Sequence, residues 1–143
     1  MKAIPTWVIY SLISMLFAGL TSVVAKLGLK AISADLGLAV RTTVVFGLVL
    51  LNFLLFQNIR EVGQLNARTV GFLAVSGLTT SLSWIFYYKA IQIGRVSDVA
   101  LIDKGSIILT ILLSIVVLRE PVTPKLLLGG GLILAGLLVL VWR

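Results

Sequence analysis

Charged residues fall at intervals along the chain and leave apolar stretches between them. Ala3 to Ala25 has no charge, Leu36 to Phe56 has only Arg41, and Thr69 to Ile93 has only Lys89. Val96 to Leu118 is apolar apart from Asp98, Asp103, Lys104 and a few hydroxyls, and Leu126 to Trp142 is uncharged. A helix needs about 20 apolar residues to cross a hydrocarbon layer ~30 Å thick. The pattern therefore predicts five transmembrane helices, over residues 5–25, 36–56, 69–93, 97–118 and 124–142. They form a single all-α integral membrane domain spanning residues 1–143.

End signals support these boundaries. Ser33 suits an N-cap, with Asp35 in a first turn where the helix dipole favours an acid. Ser97 and Asp98 fill the same roles for the fourth span. Thr123 caps the fifth, with Pro124 at its first position, where the missing N–H does no harm. Arg119-Glu120-Pro121 stops the fourth span, and Gly105-Ser106 is expected to loosen or bend it midway. Trp7 and Tyr10 sit where interfacial aromatics belong. Met1-Lys2 before an apolar run also suits a signal peptide, but the run is longer than a usual h-region and four more spans follow it.

Composition agrees with a chain that lives in lipid. The 143 residues are 59% hydrophobic and 12% charged, and the mean hydropathy is +1.16. There is no cysteine and no histidine, which removes thiolate and imidazole metal sites and the usual Cys or His catalysis. No nucleophile–base pair is visible, so an enzyme is not expected. No cofactor is expected either: Gly129-Gly130-Gly131 lies in a membrane helix and lacks the spacing and lysine of a phosphate-binding loop. The net charge of +7 is dispersed among apolar segments rather than clustered, which argues against nucleic acid.

Candidate chemistry centres on Asp103 and Lys104. If Asp98 marks the membrane edge, they lie about 7.5 and 9 Å deep at ~1.5 Å per residue. Lysine can snorkel to the headgroups on its long stem, whereas aspartate needs a partner inside the protein. Alternating span directions bring Lys26, Arg41, Lys89, Asp103 and Lys104 to the same half of the bundle. One reading is a polar cavity for an anionic or zwitterionic solute, with Asp103 pairing Arg41, Lys89 or Lys104 until substrate arrives. Trp84 and Tyr88, four apart on one helix face, would supply an apolar wall. The plainer reading has Lys26 and Lys89 snorkelling beside an aromatic belt, and Asp103 in a fixed ion pair.

Orientation is balanced. Lys2, Arg60, Arg68, Arg119 and Lys125 fall on one face, against Lys26, Lys30, Arg41, Lys89, Arg95 and Arg143 on the other. Positive-inside bias then gives no preference, and dual insertion into an antiparallel pair is expected, the alternative being that a few influential charges near the first span decide one orientation. In GGGLILAG, Gly129, Gly131, Ala135 and Gly136 offer a small-residue face for helix packing or a dimer.

These residues resemble a known family. AVRTTVVFGLVL from Ala39, LSWIFYYKAIQIG from Leu82, LIDKGSIILTILLSIVVLREPVTPKLLLGG from Leu101 and GGGLILAG from Gly129 are together similar to the drug/metabolite transporter (DMT) superfamily. They look like its EamA type in the single-repeat, five-helix form. The resemblance implies a secondary transporter, often an exporter, of small metabolites or drugs in the cell (inner or plasma) membrane, working by alternating access. Most relatives fuse two inverted repeats, so a homodimer is implied here. GGGLILAG is also similar to the last helix of the small multidrug resistance proteins, which exchange protons through a glutamate in their first helix. The corresponding LFAGLTS stretch here has Ala18 and Gly19 instead, so lipophilic cations are poor substrates.

The expected function is export of a small polar or anionic metabolite by an inverted homodimer, with Arg41, Trp84, Tyr88, Lys89, Asp103 and Lys104 at the substrate. The rivals are an accessory membrane subunit whose charges only fix helix packing, and one half of a heterodimeric transporter.

Overall fold

The structure, a computed structural model, describes residues 4–56, 62, 63 and 65–141. They form helices and no strand: α1 Thr6–Gly28, α2 Ala34–Phe56, α3 Ala67–Ile93, α4 Val96–Asp103, α5 Ser106–Val117 and α6 Pro124–Val141. The fold is an all-α membrane bundle, as the hydropathy pattern predicts. Four segments are long and apolar enough to cross a membrane: Thr6–Gly28, Ala34–Phe56, Ala67–Ile93, and Val96–Val117 taken through its interruption. The 18 residues of α6 rise about 27 Å, close to the hydrocarbon thickness. Most of the polar stretch after α2 lies outside the described residues.

The chain divides into two compact units, residues 1–93 and 94–143. In the first, α2 packs along α3 and α1 packs on α3. Among the described residues, the buried ones are Leu29, Ala34, Tyr88 and Ile91. All four lie at one end, where the α1–α2 connection meets the last turns of α3. Elsewhere the helices present large apolar side chains outward, Phe46 at 67% and Phe56 at 75% exposure. In water such a surface would be untenable; in lipid it is the expected solvent face.

That end is closed by specific contacts. The Ser33 hydroxyl accepts the Leu36 N–H at 3.3 Å, the expected N-cap of α2. Leu29 lies where a Cβ on Gly37 would sit, so glycine is what lets the connection press against α2. Gln92 bridges the connection to α3: its amide donates to the Ile32 carbonyl at 2.9 Å, and its Oε1 accepts the Ala34 N–H at 3.2 Å. Lys26 donates to the carbonyls of Ile91 and Gln92. A lysine expected to snorkel instead caps the C-terminus of α3, where orphan carbonyls favour a cation. Tyr87 donates to the Ser22 hydroxyl at 2.7 Å and ties α1 to α3 again.

In the second unit, α6 packs on both α4 and α5. A Cβ at Gly130 would lie 3.2 Å from Ile111, and one at Gly105 would lie 3.3 Å from Leu137. The fourth span breaks at Lys104-Gly105. Gly105, Ile107 and Ile108 bond three residues back, to Ile102, Lys104 and Gly105, at 2.9, 3.1 and 3.0 Å. The tighter turn frees the Leu101 carbonyl from its usual partner, the Gly105 N–H. The start of this span differs from expectation. Arg95 stands at the N-cap without a side-chain cap bond, and the Ser97 hydroxyl points to Asp98 at 3.2 Å. Asp98 instead faces Arg95 at 3.7 Å. The helix begins one residue earlier than predicted, so Ser97 lies inside its first turn and cannot cap it. Thr123 does cap α6, accepting the Leu126 N–H at 3.2 Å.

Candidate functional site

The six residues singled out from the sequence fall into two groups, one in each unit. In the first, Arg41 rises from α2 toward α3. Its guanidinium carbon lies 4.1 Å from the Trp84 ring centroid and 5.8 Å from that of Tyr88. The spacing of Trp84 and Tyr88 places both rings on the face that meets Arg41. An arginine on an aromatic face gains from the ring quadrupole, and more so away from water.

The guanidinium is otherwise unmatched. Arg41 Nη1 is buried and has no hydrogen-bond partner among the described residues. No carboxylate of the first unit's described residues is paired with it: Asp35 pairs with Lys89 instead, Oδ1 to Nζ at 3.6 Å. Both of those side chains are exposed, and pairs of that kind contribute little to stability. Lys89 is thus an ion-pair partner at the α2–α3 edge.

Two cavities flank this wall. The first, about 430 Å³, is bounded by Arg41 and Tyr88, by Phe17, Leu20 and Val24 of α1, and by Ile32 and Val40. The second, about 360 Å³, runs along α2 and α3 and carries Asp35, Thr42, Ser81 and Trp84. Trp84 therefore borders one cavity and carries on its ring the arginine that borders the other. Cationic and acidic walls are kept on separate sides.

In the second unit, Asp103 and Lys104 pair with each other, Oδ2 to Nζ at 3.7 Å, directly before the helix break. Of the three partners expected for Asp103, Lys104 is the one it has within its unit. Lys104 also borders an apolar groove of about 370 Å³ with Leu101, Ile107, Leu132, Gly136 and Leu137. On α6, Gly130 takes the helix contact, while a Cβ at Gly129, Gly131 or Gly136 would meet nothing within 4 Å.

Sequence reasoning missed Gln92 and the apolar lining of the first cavity. Gln92 had a signal, as an uncharged polar residue inside an apolar run one turn from a helix end. Phe17, Leu20 and Val24 had none, because every apolar residue of α1 looks alike until its neighbours are known.

Apolar spans and short connections describe a multi-pass helical membrane protein. Comparison with protein families matches residues 5–142 to the EamA-like transporter family. A Sinorhizobium protein, an uncharacterized transporter in the cobO 3′ region, is 33% identical over 135 residues, covering 94% of this chain and 96% of its own. No solved structure matches. The chain belongs to the EamA-like transporter family and is a membrane transporter.

Proposed function

We propose that the protein exports a small anionic metabolite across the cell membrane by alternating access, working as two oppositely oriented copies. The observation that carries this reading is the Arg41 guanidinium, which borders a cavity and has a buried nitrogen without a partner. A buried donor nitrogen left unsatisfied on a half-exposed cation is costly, and a carboxylate or phosphate oxygen is the group that relieves it best. Trp84 and Tyr88 hold the guanidinium in place, so little rotamer entropy is left to lose on binding. Lys89, Asp103 and Lys104 form pairs that a charged solute opens and recloses as it passes. For transport to be coupled, these contacts must differ in strength between the inward- and outward-open states.

The paired arrangement is supported by the near tie of basic residues on the two faces. It is also supported by the uncovered glycines of α6, which suit close approach of another helix. The test is solute flux in proteoliposomes. Arg41→Gln, Asp103→Asn and Lys104→Gln should each abolish uptake of a transported anion at unchanged thermal stability. Normal flux with lowered stability would return all three to a structural role, the behaviour of an accessory subunit.

A further inference from the structure

Resting on the reading of Arg41 as an anion contact, we propose that the first unit's cavity selects monoanions with an apolar body, such as aryl or branched-alkyl carboxylates. Small polar anions, dianions and zwitterions are rejected. Arg41 is the only charged residue bordering the cavity among the described residues. Phe17, Leu20, Val24, Ile32 and Val40, each partly exposed on the helix surface, supply its apolar lining. Thr21 is also present, but its hydroxyl already donates to the Phe17 carbonyl at 2.8 Å. One charged anchor in a largely apolar groove orients a ligand by its charged end and holds the rest by removing it from water.

The same geometry rejects the other classes. A second carboxylate would find no second cation there, and away from the Tyr88 phenol it would lie against apolar side chains that cannot replace its hydration. The ammonium of a zwitterion needs an acid, and among the first unit's described residues the one acid, Asp35, borders the other cavity. A cation meets the uncompensated charge of Arg41. The stacked guanidinium keeps its in-plane donors for a carboxylate, so the anchor works without leaving Trp84. A phospholipid offers the same chemistry, an anionic oxygen on an apolar body, and the experiment must separate the two sources.

Trp84 is the natural reporter. With Trp7→Phe and Trp142→Phe it becomes the sole tryptophan of the full-length chain. Its emission is followed in a neutral detergent during titration with straight-chain carboxylates from acetate upward, phenylacetate, succinate and phosphatidylglycerol. Kd is expected to fall about fourfold per added methylene until the chamber is full. Phenylacetate should bind far more tightly than acetate or succinate. Arg41→Gln should remove the response and Arg41→Lys should weaken it, which separates lost charge from lost fold. Leu20→Ser should flatten the chain-length series while sparing the weak acetate response. Acetate or succinate binding as tightly as phenylacetate overturns the selectivity and leaves Arg41 an anion contact. No response to any carboxylate overturns both readings. Response to phosphatidylglycerol alone assigns the chamber to lipid and overturns the proposal.

Discussion

The Lys26 ammonium donates to the backbone carbonyl of Gln92 at 3.0 Å, joining the last turn of α1 to the last turn of α3. Gln92 in turn spans the α1–α2 connection with its side chain. Lys26→Met removes a charged donor from the part-buried helix-end carbonyls of Ile91 and Gln92 and should lower stability by about 1.5–3 kcal/mol. Gln92→Leu, which leaves the Ala34 N–H without its side-chain acceptor, should cost about 1–3 kcal/mol. Thermal unfolding in detergent checks both, and an unchanged midpoint for both would show that this end is not held by these bonds.

Gly37 and Leu29 form a size-complementary pair, since a Cβ on one would displace the side chain of the other. Gly37→Ala should destabilise by about 1–3 kcal/mol through overpacking. Adding Leu29→Ala should recover part of that loss, although Leu29→Ala alone also destabilises. The double-mutant cycle is the measurement, and strict additivity would deny the contact.

Arg119 has φ 56°, in the left-handed region where a side chain is strained. The turn returns the Glu120 N–H to the Ser114 carbonyl at 3.2 Å before Pro121 forces extension. Arg119→Gly should raise stability by about 0.5–1 kcal/mol, read as a higher unfolding midpoint. A lower midpoint would mean that the Arg119 side chain contributes more than its backbone costs.

Asp103 and Lys104 pair next to the interruption of the fourth span. Reversing them, Asp103→Lys with Lys104→Asp, keeps an ion pair but moves each charge. If the two residues meet the solute, flux should stay at least about tenfold below the parent, equivalent to about 1.4 kcal/mol in the transition state. If pairing is all they do, the reversal should restore both flux and stability.

Dual insertion predicts that cysteines introduced as Gly63→Cys and Arg143→Cys, in a chain that has no cysteine of its own, are each labelled from both sides of intact membranes. One-sided labelling would remove the antiparallel pair and favour a partner of different sequence.

Helices and their ends were legible because each depends on nearby residues. The apolar runs set the spans, Ser33 and Thr123 placed two caps, and Gly105 marked the interruption. Ser97 misled because a hydroxyl one residue inside a helix carries the same sequence signal as one at its edge. The stacking of Arg41 on Trp84 was half visible: the i,i+4 aromatics announced a face, but not which cation would meet it. For Lys26 the sequence left snorkelling and a place in the polar cluster open and did not suggest capping, since each needs only a long stem near a helix end. The lining of the Arg41 cavity was invisible, because in a lipid-facing chain apolar residues inside and outside follow no distinguishing period.

All the buried side chains of the first unit's described residues gather at the Leu29–Ala34–Tyr88–Ile91 end, so the proposed alternating access would have its natural pivot there. A helix of 23 residues is a lever of about 35 Å, and tilting it by about 5° moves its far tip by about 3 Å. Under that proposal, small adjustments beside the Arg41 cavity would be magnified at the distant membrane surface while the buried end stays packed.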